Sequence, residues 1–277
     1  AGKFESSNYF HSGGLHGVGA SVVTALSSEL VAQVKRDGQL WEQTYARGRA
    51  TSKLKKVKPA RGTGTTITFR PDAEIFPKTT FKPEIIRERL EIRSFLHRGL
   101  TLVFENEADG QTESFCHERG IAEYIERLVA SGKGGPVAEP FYVERRDGLV
   151  VECALAGPEA TEERFSSYVN GIPTRSGGTH ETGVKAGVGK AVRNYLGVHN
   201  LTPKGMTVAA EDIREGMVVV LSLYIAEPQF QGQTKDRLNN PEVTAPIDNL
   251  LRTSLENYLL GHPTQAKAIA NRVILSA

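Results

Sequence analysis

Reactive side chains are scarce in this sequence. Two cysteines, Cys116 and Cys153, stand in 277 residues. They lie far apart and outside any metal-ligand spacing, which excludes a disulfide framework and reads as two buried thiols in a reducing compartment. The seven histidines show no metal-ligand pattern either, so no metal-binding residue is assigned. Net charge is almost absent: 34 Lys and Arg against 32 Asp and Glu leave +2, and no global basic field argues for nucleic acid. Long apolar runs are missing, none approaching the roughly 20 residues that span a bilayer. The opening Ala1-Gly2-Lys3-Phe4-Glu5 carries no signal-peptide core. These absences describe a cytoplasmic protein with no membrane partner.

What is present suits one large or two ordinary globular domains, with 39% hydrophobic and 24% charged residues. Helical spacing of Val22, Val23, Leu26 and Leu30 predicts a helix running to about Leu30. A strand over 31–35 turns at Asp37-Gly38 into another over 40–45, a strong hairpin signal. The basic stretch from Arg47 to Arg61 reads as a solvated hairpin and loop, and 66–70 alternates as a strand. A helix over 83–96 and a strand over 101–105 follow. A second unit is expected near Gly120, with helices over 121–130 and from 179 to about 195. It also holds a hairpin around Asp147-Gly148, strands over 165–170 and 217–225, and a polar loop over 231–240. Closing helices span 245–260 and 263–275. The expected class is α+β, with hairpins in place of regular βαβ alternation, which argues against a Rossmann fold.

Chemistry concentrates in a few short motifs. Gly13-Gly14-Leu15-His16-Gly17-Val18-Gly19 leads directly into a helical run. Glycines let backbone N–H groups approach an anion, and a helix N-terminus adds unpaired donors and positive dipole. No Gly-Lys-Ser/Thr follows, so this is not a Walker loop, and no strand precedes it as a dinucleotide fingerprint requires. Alone, such a loop is more often a tight turn; the helix behind it, with Lys3 and Tyr9 before it, argues for a ligand. Gly62-Thr63-Gly64-Thr65 alone is a loop entering a strand. Gln231-Gly232-Gln233-Thr234-Lys235 puts two amides, a hydroxyl and an ammonium in five residues, suited to charge developing on a phosphoryl group, or simply to water.

Together, in order, these motifs resemble the ATPase subunits of bacterial type II topoisomerases. Asn8 through Val23 is similar to their ATP lid and glycine box, and Gly64-Thr65 to their third nucleotide motif. Pro228-Gln229-Phe230 with Gln233-Thr234-Lys235 is similar to their transducer lysine loop. Asn170-Gly171-Ile172-Pro173-Thr174 and Gly177-Gly178-Thr179-His180 also resemble the transducer domain. The resemblance covers essentially the whole chain. It leans to the gyrase branch, with topoisomerase IV second, on Thr179-His180-Glu181-Thr182-Gly183 and Asp212-Ile213-Arg214-Glu215-Gly216.

The resemblance implies part of a GHKL (Bergerat-type) ATPase sandwich over 1–119 and a ribosomal-protein-S5-like transducer domain over 120–277. It implies ATP and Mg²⁺, DNA and the A subunit as partners, and homodimerisation of the B subunit on ATP binding. By position, Gly2 and Lys3 belong to the lid and Tyr9 to the adenine side. Gly14, Leu15, His16, Gly17, Val18 and Gly19 hold the phosphates and Thr65 lies beside the nucleotide. Gln233 and Lys235 reach the γ-phosphate as the catalytic pair. The family's general-base glutamate and Mg²⁺-binding asparagine come before the lid, outside this chain. The expectation is therefore a piece of a longer subunit that does not hydrolyse ATP alone. The alternative from another class is a shortened, non-hydrolysing binding module of the same fold.

Overall fold

A computed structural model describes residues 17–131, 139–157 and 162–277. The chain forms two compact units that divide between Pro83 and Glu84. The first contains α1 (Gly19–Ala25) and strands β1 (Ser27–Arg36), β2 (Gln39–Ala46), β3 (Arg49–Ala50), β4 (Lys55–Pro59) and β5 (Gly64–Pro71). Its sheet runs β3-β2-β1-β5, with β4 also paired to β2. Asp37 and Gly38 both take positive φ, 52° and 70°, as the tight β1–β2 hairpin requires.

The helix expected to reach Leu30 stops at Ala25. Ser27 donates its hydroxyl to the Val23 carbonyl (2.6 Å), a local bond that competes with helix continuation. Leu30 is drawn into the sheet, opposite Tyr45 on one side and Phe69 on the other. The basic stretch expected as a solvated hairpin and loop contains β3 and β4. In β4, Lys55 pairs with Glu42 (2.9 Å) and Lys56 lies over the Trp41 ring, so charged residues hold an exposed edge strand whose composition masks it. In β1, β2 and β5 the register places Leu30, Ala32, Val34, Trp41, Tyr45, Thr65, Ile67 and Phe69 on one face.

The second unit begins with α2 (Pro83–Leu96), a hairpin of β6 (Leu102–Asn106) and β7 (Gln111–Phe115), and α3 (Ile121–Ala130). Strands β8 (Phe141–Asp147), β9 (Leu149–Ala156), β10 (Arg164–Val169) and β11 (Ile172–Pro173) precede α4 (Thr179–Val198) and α5 (Ala210–Arg214). Then come β12 (Val218–Tyr224), a small β13 (Phe230–Gln231) and β14 (Arg237–Leu238) ribbon, α6 (Thr244–Gly261) and α7 (Pro263–Ser276). The main sheet runs β11-β10-β12-β9-β8, parallel only between β10 and β12.

Helices cover both faces of this sheet. Phe95 of α2 and Ile121 and Ile125 of α3 pack with Ala154, Val218 and Val220. Val184 and Val188 of α4 and Ile247 and Leu251 of α6 pack with Val151, Val219 and Leu221. Alternate residues of one strand thus serve two cores, which explains why 217–225 is almost wholly apolar. Cys153 is buried in the second core, and burial pushes its thiol pKa up. Cys116, expected to be buried, is exposed just after β7, beyond the last buried residue of that strand, Phe115.

The α4–α6 contact depends on two glycines. An added Cβ at Gly183 would stand 2.7 Å from the Thr244 carbonyl oxygen, and one at Gly187 2.6 Å from that of Asp248. These are backbone atoms, which cannot swing aside. Gly187→Ala is expected to lower stability by about 1–2 kcal/mol in urea denaturation, overpacking outweighing the helix-propensity gain. Gly197→Ala on the same helix, where nothing lies within 4 Å, is expected to be neutral or stabilising. Equal effects of the two substitutions would contradict the close-packing account.

The start of α4 buries polar groups instead. His180 is fully buried, with Nε2 2.9 Å from Thr174 Oγ1. Thr174 Oγ1 lies 2.7 Å from Ser167 Oγ, which donates to Glu181 Oε1 at 2.5 Å. Burial lowers the His180 pKa from 6.5 to about 4. The folded state then stays neutral where the unfolded chain takes up a proton. Its contribution is complete above pH 6.5 and is lost as pH falls towards 4, on the order of 3 kcal/mol. The melting temperature should therefore fall across that interval, and His180→Gln should flatten this part of the profile. An unchanged slope in the variant would remove His180 as the cause.

Candidate functional site

The residues singled out by sequence fall in both units. Gly2, Lys3, Tyr9, Gly14, Leu15 and His16 lie outside the described residues. Of the glycine loop the structure describes Gly17, Val18 and Gly19. Gly17 takes φ 63°, where a side chain would be strained, and no described residue lies within 4 Å of a Cβ built at Gly19. Val18 caps α1 without a side-chain hydrogen bond.

Thr65 occupies β5 opposite Val34 of β1, exposed and on the same face as Ile67 and Phe69. Val23 and Leu26, at the end of α1, line one groove with Phe69, Phe76 and Phe81. The structure therefore brings α1 and Thr65 to the same face of the first sheet. That face is apolar, with Ile67 51% and Phe69 40% exposed, so Thr65 is a hydroxyl beside a surface suited to a flat ring.

Gln233 and Lys235 belong to the second unit. The polar loop expected over 231–240 is a closed hairpin, because β13 pairs with β14. Asn240 forms its neck: the buried carboxamide accepts from the Gln229 N–H (2.6 Å) and donates to the Glu227 carbonyl (3.1 Å). Gly232 and Lys235 both take positive φ, 73° and 60°. Gln233 and Thr234 are exposed, whereas Lys235 is half-buried. The side following Lys235 is fastened to residues before α4. The Ser176 N–H donates to the Asp236 carbonyl (2.8 Å), and the Leu238 N–H to the Gly177 carbonyl (3.1 Å). Arg237 Nη1 donates to the Ser176 carbonyl (3.1 Å). The structure thus places Gln233 and Lys235 in one closed hairpin fastened to the residues before α4.

Sequence reasoning assigned no role to Asn240 or to the turn that receives the hairpin. The signals were present: Asn239-Asn240-Pro241 before a helix, and paired glycines before Thr179. Among the described residues no three His, Cys, Asp or Glu side chains gather as a metal site. Nor is any helix among them long and apolar enough to cross a membrane.

Comparison with known proteins gives this arrangement a context. Residues 120–277 match the family model for DNA gyrase B. The DNA gyrase B protein of Archaeoglobus fulgidus is 39% identical over 99% of this chain, and that of Eisenibacter elegans is 40% identical over 99%. The chain spans 44% and 59% of the lengths of those two relatives. Among solved structures, the 43K ATPase domain of Thermus thermophilus gyrase B, in complex with an aminocoumarin, superposes with TM-score 0.80 at 33% identity. That alignment covers 95% of this chain and 72% of the other. The topoisomerase IV ATP binding domain of Francisella tularensis gives TM-score 0.81 at 31% identity, covering 97% and 74%. The α+β fold expected from the motifs, a GHKL-type ATPase sandwich leading into an S5-like domain, is the fold these comparisons support. With more than half of its residues matching the family model, the chain belongs to the DNA gyrase B family.

Proposed function

We propose that these residues form the ATP-binding and transducer portion of a type II DNA topoisomerase B subunit, which couples ATP hydrolysis to DNA strand passage and negative supercoiling. The observation that carries this reading is the hairpin presenting Gln233 and Lys235, lying within the matched gyrase B segment. The lid contributes Gly2 and Lys3, and Tyr9 contacts the adenine side. The amides of the loop from Gly14 to Gly19 bind phosphates, and Thr65 holds the nucleotide from the apolar sheet face. Gln233 orients the terminal phosphate, and Lys235 neutralises charge that grows as its bond to the leaving group breaks. ATP supplies the phosphoryl group, and Mg²⁺ offsets its charge through a ligand beyond the residues named here. In this reading residues 1–119 act as ATPase and 120–277 as transducer.

A lysine presented on a hairpin makes the terminal phosphate mechanically legible. It contributes only when that phosphate is present, so binding and release favour different arrangements of the hairpin. The proposed partners are DNA, the gyrase A subunit and, on ATP binding, a second B subunit, all in the cytoplasm. A complete subunit carrying Lys235→Ala, assembled with its partner, is expected to lose at least about a hundredfold in DNA-stimulated ATP turnover. Unchanged turnover would remove Lys235 from the chemistry. Residues 1–277 alone are expected to bind a non-hydrolysable ATP analogue weakly in calorimetry and to show no turnover. Measurable hydrolysis by them would contradict the assignment of the general base to another segment.

A further inference from the structure

The Lys235 hairpin rests on a built seat. We propose that the Gly177–Gly178 turn, braced by hydrogen bonds among Ser167, Thr174, His180 and Glu181, is a positioning device for Lys235. The inference rests on the proposed role of Lys235 in ATP turnover. It assigns Gly178 and Thr174 as positioning residues, which act through the hairpin without touching nucleotide.

Contact between turn and hairpin is backbone to backbone. Gly178 bridges Leu238 in parallel, and Leu238 is fully buried. Gly178 has φ 141°, and a Cβ there would stand 2.3 Å from the Leu238 carbonyl oxygen and 2.6 Å from its nitrogen. Only glycine permits this approach. Three residues upstream of Leu238, Lys235 has φ 60°, a conformation that a residue with a Cβ keeps only when its surroundings enforce it. The hydrogen bonds from Ser176 to Asp236 and from Leu238 to Gly177 are the enforcing contacts on that side.

The turn is itself held from below. Ser167 Oγ donates to Glu181 Oε1 at 2.5 Å, with the Thr174 carbonyl a second, longer acceptor at 3.2 Å. Thr174 Oγ1 lies 2.7 Å from Ser167 Oγ and 3.1 Å from the Ser167 carbonyl, so its proton goes to Ser167 in either geometry. The Thr174 oxygen must then accept from His180, which fixes the Nε2–H tautomer. His180 Nδ1 meets no partner among the described residues, consistent with burial lowering the imidazole pKa. Where Thr174 donates to Ser167 Oγ, the bonds run one way from the buried imidazole to the carboxylate, so each polarises the next. The chain ties β10, the segment after β11 and the first turn of α4 together. Gly177 lies directly over its end: a Cβ there would be 2.7 Å from Glu181 Oε2.

Two readouts separate the seat from the reaction. In residues 1–277, Gly178→Ala and Thr174→Val are expected to speed amide hydrogen exchange over 229–240, with protection of β9 and β12 unchanged. In the complete subunit, the same variants are expected to lower kcat for ATP by about tenfold to a hundredfold, with KM within about twofold. Misplacing a group that acts on the transition state costs turnover more than ground-state binding. Arg237→Met, which removes the bond to the Ser176 carbonyl and a positive charge acting on Glu181, should act in the same direction more weakly and serves if Gly178→Ala does not fold. Unchanged exchange over 229–240 in Thr174→Val and Arg237→Met would overturn the seat. Loosened exchange with unchanged kcat, where Lys235→Ala does reduce kcat, would overturn positioning. If Lys235→Ala has no effect, the proposed role of Lys235 fails, and the exchange arm still decides the seat.

Discussion

The second unit depends on how closely two helix backbones can approach. Gly183 and Gly187 remove the side chains that would hold α4 and α6 apart, and each faces a carbonyl of the partner helix. Thr244, the first residue of α6, donates its hydroxyl to the carbonyl of Thr179, the first residue of α4. The two helices therefore start side by side. The Lys235 hairpin lies between β12 and the start of α6, and its receiving turn immediately precedes α4. Anything that widened the helix pair would pull the hairpin and its seat in different directions. The hairpin and its receiving turn are thus both tied to the starts of these two helices.

The sheet beneath follows the same economy. Val219 and Leu221 face the α4–α6 layer, while Val218 and Val220 face α2 and α3. A displacement of β12 would disturb both cores, so the strand gives the hairpin that follows it a fixed point of departure. The first unit is built differently. Among its described residues, Leu30 and Leu40 are the buried hydrophobic side chains, while Ile67 and Phe69 remain open. Its organisation comes from antiparallel pairing and the Asp37-Gly38 turn more than from an apolar interior.

Elements with strong local signals were legible in the sequence. The helix over 83–96, the helix over 121–130 and the hairpin at Asp147-Gly148 follow from periodicity and turn chemistry, and the structure places them accordingly. What escaped was decided by contacts distant in sequence. Leu30 fits a helical stripe but pairs with Tyr45 and Phe69. β4 is a run of lysines held by Glu42 and Trp41. The Lys235 segment looks like solvated loop until Asn240 closes its neck and Gly178 receives it. Gln233 and Lys235 drew attention in the sequence because their functional groups stand together in the chain. Ser167, Thr174 and Glu181 did not, since a hydroxyl network is invisible until strand and helix are packed.

The backbone of Lys235 carries a further meaning. A left-handed conformation costs a residue with a Cβ about 1 kcal/mol, so the hairpin holds its lysine slightly uphill. Such a segment behaves as a sprung latch. It can be caught or let go by a ligand whose preference between the two states is only a few kcal/mol, within reach of one ammonium–phosphate contact. Its threshold would then be set by the stiffness of the turn beneath it.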